Sequence, residues 1–133
     1  MTKEKQKILF EKYPSLFVDK DKSPSETCMC WGCECGDGWF DILDETCRKI
    51  IEIDKDKKFK FLQVKEKFGG LRLYGIGETD EISNILECAE IESFRTCEHC
   101  GSKENVTQRG ESWIYTLCNN CFHRMGGNST STI

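Results

Sequence analysis

Two Cys-x-x-Cys pairs, Cys97/Cys100 and Cys118/Cys121, stand seventeen residues apart near the C-terminal end of this 133-residue chain. Each pair can form a tight turn that offers two sulfurs, and two such turns supply the four thiolates that a tetrahedral ion requires. The spacing predicts a structural Zn2+ site, closed and without an open coordination position for chemistry. His99 and His123 are alternative ligands, but four thiolates already complete the tetrahedron. Between the pairs, Val106–Arg109 and Trp113–Leu117 are β-prone runs around Gly110-Glu111-Ser112. Knuckle, hairpin and knuckle read as a zinc ribbon over 97–125.

The remainder, 1–96, reads as an α+β body in which helices pack on a small antiparallel sheet. Residues 3–13 form a short amphipathic helix that Pro14 stops, and 17–27 read as a loop. From Phe40, the positions Leu43, Cys47, Ile50 and Ile51 recur at helical spacing, with Asp37 as the expected N-cap. Residues 59–65 and 71–74 read as two strands joined at Gly69-Gly70. Leu71 and Leu73 face one side of that hairpin, and Arg72 and Tyr74 the other. Thr79 caps a second helix that runs to about Phe94 and buries Ile82, Ile85, Leu86 and Ala89. The tail, 126–133, is polar and Gly-rich and is expected to be disordered.

The net charge of −4 argues against a protein whose main task is to coat nucleic acid through its phosphates. The charge is unevenly spread: 54–72 carry seven Lys/Arg against three Asp/Glu, between two segments, 26–53 and 73–98, that each carry seven acids. Compensation within the fold and a dedicated anion site both account for this pattern. The first twenty residues hold no apolar run resembling a secretory signal, and no stretch approaches membrane-spanning length. The expectation is a soluble cytoplasmic protein without membrane contact. Ten cysteines in a reducing compartment then read as metal ligands and buried thiols. The upstream set Cys28, Cys30, Cys33 and Cys35 is too closely spaced to wrap one ion comfortably, although some of it could join Cys47 or Cys88 around a second one.

Three constellations bear on function. Trp39 offers a flat face for stacking, and Lys65, Lys67, Arg72 and Tyr74 lie beside a Gly-Gly turn where cations can hold a phosphate or carboxylate. The alternative is that Trp39 belongs to the core and the cations pair with Asp41, Asp44 or Glu45. Asp54 or Asp56 followed by Gln63-x-Lys65 bears a loose likeness to metal-dependent nucleases, although no second carboxylate stands beside the lysine. In the ribbon, Trp113 and Tyr115 read as its small core or as a base-stacking pair, and residues 97–121 hold only Lys103 and Arg109 against Glu98, Glu104 and Glu111.

The blocks Cys35-Gly36-Asp37-Gly38-Trp39 and Gln63-Val64-Lys65-Glu66-Lys67-Phe68-Gly69, followed by the two cysteine pairs, resemble a family of small phage and prophage proteins without an assigned activity. The resemblance spans roughly 8–121 and implies a phage or prophage origin and the bacterial cytoplasm. This chain departs from the family at Cys33, where relatives carry an aromatic or apolar residue, and in its full upstream cysteine set. The expected function is a zinc-containing accessory binding protein that engages a host protein or sequesters an anionic small molecule, such as a defence-signalling nucleotide. A metal-dependent nuclease and a nucleic-acid-binding zinc-ribbon regulator are the alternatives.

Overall fold

The protein is described here from a computed structural model covering residues 1–126, so the expected tail lies outside the described residues except for Gly126. Helix α1, Lys3–Lys12, opens on Thr2, whose hydroxyl accepts from the Lys5 N–H at 3.4 Å. It buries Leu9, and Tyr13 just beyond it donates its hydroxyl to the Asp44 carboxylate at 2.7 Å. Lys12 binds the same carboxylate at 2.7 Å, so Asp44 fastens α1 to the next helix. Helix α2, Phe40–Ile53, buries Ile42, Leu43, Thr46, Cys47 and Ile50. Asp37 is not its N-cap. A short 3-10 turn, Asp37–Trp39, intervenes, and the Asp37 carboxylate accepts from the Thr2 N–H at 2.7 Å instead.

Three strands follow the order β1 (Cys33–Glu34), β2 (Lys60–Lys67) and β3 (Gly70–Ile76). The pair β2–β3 is antiparallel as expected, whereas β1 joins as a parallel edge. Two residues are too few to display an alternating pattern, which is why β1 is silent in the sequence. The imperfect alternation of β2 also has a cause. A bulge between Phe61 and Gln63 inserts one residue, so Phe61, opposite Gly75, and Val64, opposite Leu73, both point into the core although they are three positions apart. Phe61 continues a line of rings from Phe10 through Phe17 to Phe59, with centroids 5.0, 5.3 and 5.1 Å apart in turn.

Helix α3, Asp80–Ser93, packs on α2 and β3. Thr79 caps it, accepting from the Ile82 N–H at 3.2 Å, and Ile82, Leu86, Ala89 and Ser93 are buried. The C-terminal part is a two-stranded antiparallel sheet, β4 (Val106–Arg109) and β5 (Tyr115–Cys118), followed by a short helix α4 (Asn119–Arg124). Among the described residues, no helix is long and apolar enough to cross a membrane.

Candidate functional site

Folding brings the four C-terminal thiols together: the sulfurs of Cys97, Cys100, Cys118 and Cys121 all lie within 4.8 Å of one another and could hold a metal ion. The turn at Cys97 is closed by the Gly101 N–H donating to the Cys97 carbonyl at 2.9 Å. The second turn is the start of α4, where the Cys121 N–H donates to Cys118 Sγ at 3.4 Å. Four thiols this close cannot all ionise without a cation. Burial pushes Cys97 up, yet backbone N–H groups aimed at its sulfur outweigh this and bring it down to about 7. Burial and the neighbouring sulfurs push Cys121 up to about 12. Arg124 donates to Cys121 Sγ at 3.3 Å and would offset part of the charge of a four-thiolate site. His99 and His123 are exposed and outside the cluster.

The ribbon is fastened to the body at both sequence blocks. The Gly38 N–H donates to the Glu98 carbonyl at 2.8 Å, and the Gly36 N–H donates to the Glu98 carboxylate at 3.0 Å. A Cβ at Gly36 would land on the Glu98 carbonyl oxygen, and one at Gly38 on that of Cys97. These two glycines let the first knuckle seat on backbone, with no side chain between. On the far side of the ribbon, the Thr116 hydroxyl donates to the Gly69 carbonyl, and Gly69 lies against the Thr116 and Ile114 side chains. The Glu98 N–H donates to the Thr116 carbonyl at 2.9 Å, linking the two fastenings.

This arrangement corrects the expectation for Trp39. Its side chain is fully buried and its indole N–H donates to the Thr96 carbonyl at 2.9 Å, so it has no free face on which a ligand could stack. Its place beside Gly38 is explained by the knuckle that it supports. The other four residues do share a surface. Register pairs Lys65 with Arg72 and Gln63 with Tyr74, placing Lys65, Lys67, Arg72 and Tyr74 on the sheet face opposite Val64, Leu71 and Leu73. Glu34 lies opposite Lys65 on the β1 side. Arg72 approaches Glu90 at 3.8 Å, and its buried Nε finds no hydrogen-bond partner.

Sequence reasoning missed the aromatic neighbours of those lysines. Lys65 and Lys67 line a cavity of about 240 Å³ with Phe68, Trp113 and Ile114. Phe68 is 67% exposed and Trp113 60% exposed. Trp113 and Tyr115 are therefore not the core of the ribbon, which consists of Leu117 and the cysteines with Val106 and Phe122 against them. A Trp inside a Ser-x-Ile loop, next to alternating residues, gives no sign of whether it points inward. The three cations of the ribbon are all engaged: Lys103 pairs with Glu92 of α3, Arg109 is buried and donates to the Leu117 carbonyl at 3.0 Å, and Arg124 donates to Cys121 Sγ.

The upstream cysteines do not converge; among the described residues, the C-terminal set is the one group placed to hold a metal ion. Cys33, Cys35 and Cys47 are buried in the main core, and burial pushes all three thiols up, Cys33 to about 12. They act as small apolar side chains. Asp54, one of the acids of the nuclease pattern, accepts from the Lys58 and Phe59 N–H groups at 3.1 and 2.9 Å and shapes the turn into β2. Asp44 and Glu45 find their cations in Lys12 and Arg48, not in the hairpin. Lys60 reaches the buried Asp19 at 3.0 Å, so the basic segment is compensated in part within the fold.

Comparison of the chain with family models, with curated proteins and with solved structures found no match.

Proposed function

We propose that this is a zinc-braced binding protein that engages an acidic surface of a partner protein through the junction of the β2–β3 hairpin and the ribbon. The observation that carries the reading is the pairing of charge and exposed rings: among the described residues, Lys65 and Lys67 have no ion pair, and Phe68 and Trp113 stand exposed beside them. Exposed aromatic side chains are residue types that anchor interfaces, and lysines beside them steer an acidic partner onto the site. Arg72, held only by a loose contact to Glu90 at 3.8 Å, keeps part of its guanidinium available to a carboxylate supplied by a partner. The cavity, about 240 Å³, is smaller than the roughly 300–1,000 Å³ typical of small-molecule sites. That size favours the side chains of a protein over a sequestered small molecule at this place.

Zinc is the metal that best suits four thiolates in a closed set, and its role in this reading is to hold the ribbon loop beside the lysines. The phage-type resemblance of the sequence blocks supports a bacterial host protein as the partner and the host cytoplasm as the location. Pull-down from bacterial lysate, with identification of the captured protein, tests this. The reading expects a partner captured by the native chain and lost with Lys65→Glu/Lys67→Glu and with Trp113→Ala. Capture that survives both variants contradicts it.

The exposure of Trp113 and Tyr115 also favours a second reading, in which the same rings stack on a single-stranded nucleic acid. Against it stand the engaged Lys103 and Arg109. Salt-sensitive binding to single strands that requires Trp113 would select it over the protein partner.

A further inference from the structure

A cleft lies away from the junction, between α1 and the loop 28–32. Its volume of about 520 Å³ falls within the roughly 300–1,000 Å³ range of small-molecule sites. The apolar wall is built from Phe10, Met29 and Trp31, and the rim carries Lys3, Lys7 and Lys20. Met29 is fully buried and Phe10 packs edge-on against Phe17, so both belong to the body that supports the cleft. Trp31 differs: it is 63% exposed and stacks on no other ring among the described residues.

The loop that presents this indole is pinned on both sides. Thr27 accepts from the Met29 N–H at 3.1 Å while donating its hydroxyl to the Leu62 carbonyl of β2 at 3.2 Å. Beyond Trp31, Gly32 takes a φ of 72°, and a Cβ there would collide with the Gln6 side chain of α1. That Gln6 amide is committed, its oxygen accepting from the Cys33 N–H at 2.9 Å. The Trp31 backbone is therefore fixed relative to the lysines of α1, and a ligand meeting both would pay little ordering entropy.

Charge narrows the ligand. Lys20 is held by Asp21 at 2.6 Å and Lys7 contacts Glu11 at 3.9 Å, whereas Lys3 has no ion pair among the described residues. The rim has one cation in excess of its two acids, which suits a singly or doubly charged anion better than a polyanion. We infer that this cleft is a second binding site, separate from the junction, that takes a planar aromatic monophosphate of nucleotide size, with its ring against Trp31 and its phosphate at Lys3 and Lys7.

Isothermal titration of the full chain with AMP, with adenosine and with inorganic phosphate tests this. AMP is expected to bind more tightly than either half alone. Trp31→Ala should weaken AMP by about tenfold or more, as loss of a base–aromatic stack does. Trp31→Phe should recover much of that loss, and Lys3→Ala/Lys7→Ala should reduce affinity for AMP but not for adenosine. Lys65→Ala/Lys67→Ala should leave AMP binding unchanged. Absence of AMP binding at millimolar concentration, equal affinity in Trp31→Ala, or loss in the Lys65/Lys67 variant instead would overturn the assignment. Because the junction variants are a separate arm, failure here leaves the protein-partner reading to its own test.

Discussion

The indole N–H of Trp39 donates to the main-chain carbonyl of Thr96 at 2.9 Å, one residue before the first cysteine of the metal-type cluster. The core of the body thus reaches the residue that leads into the first knuckle through a buried hydrogen bond, beside the two that Gly36 and Gly38 make to Glu98. Trp39→Phe keeps a ring in the core but leaves the Thr96 carbonyl without its donor, which should cost about 1–3 kcal/mol, with a further loss from the smaller side chain. Urea denaturation measures it. An unchanged midpoint would mean that the bond contributes nothing to holding knuckle and body together.

Gly38→Ala tests the close approach of the two backbones. The new methyl would meet the Cys97 carbonyl, which cannot swing aside as the end of a long side chain could. Destabilisation of about 1–3 kcal/mol or more is expected. The Cys97 turn should also lose geometry, so a colourimetric chelator should withdraw metal faster from the variant than from the native chain.

How far the sequence reveals this site depends on which residues are asked about. The four cysteines are legible because metal geometry demands a fixed spacing, and α3 is legible because Thr79 caps it and its apolar stripe is regular. Trp39 misleads because a Trp between a Gly-rich turn and a helix suits a pocket wall and a core anchor equally well; what decides is a carbonyl 57 positions away. The same holds for Gly36, Gly38 and Gly69, which look like loop or phosphate-cradle glycines until the ribbon is seen lying on them. Strand β1 and helix α4 are too short for periodicity to register.

Thiol reactivity should divide nine of the ten cysteines, all but the half-buried Cys30, in a way that the sequence does not suggest. Cys28 and Cys88 are exposed and should be alkylated rapidly in the native protein. Cys33, Cys35 and Cys47 are buried and kept protonated by burial, so they should resist until the chain is unfolded. The four C-terminal thiols should be protected by metal and become labelled once it is removed. Mass spectrometry after timed iodoacetamide treatment gives all three groups in one series; rapid native labelling of Cys33 or Cys47 would contradict the buried placement.

Asp19 should make stability fall in acid. Burial pushes its carboxyl up, but hydrogen bonds and charge from Lys22 and Lys60 outweigh this and hold it below the ordinary value. A depressed carboxyl contributes stability that is fully present above its unfolded value, about 4, and is lost as pH falls through the lower folded value. Urea midpoints measured from pH 7 down to pH 3 should therefore fall less steeply for Asp19→Asn than for the native chain. Parallel slopes would show that this carboxylate is not linked to folding.

Metal at the four cysteines should keep the ribbon seated on Gly36 and Gly38, and the junction surface should exist only while it is seated. Hydrogen exchange at the Gly36 and Gly38 amides, which donate to the carboxylate and the carbonyl of Glu98, reads this directly. With zinc bound, both amides should exchange slowly. After chelation they should exchange rapidly while amides within α2 and α3 keep at least part of their protection. Unchanged protection of Gly36 and Gly38 in the metal-free protein would contradict the claim.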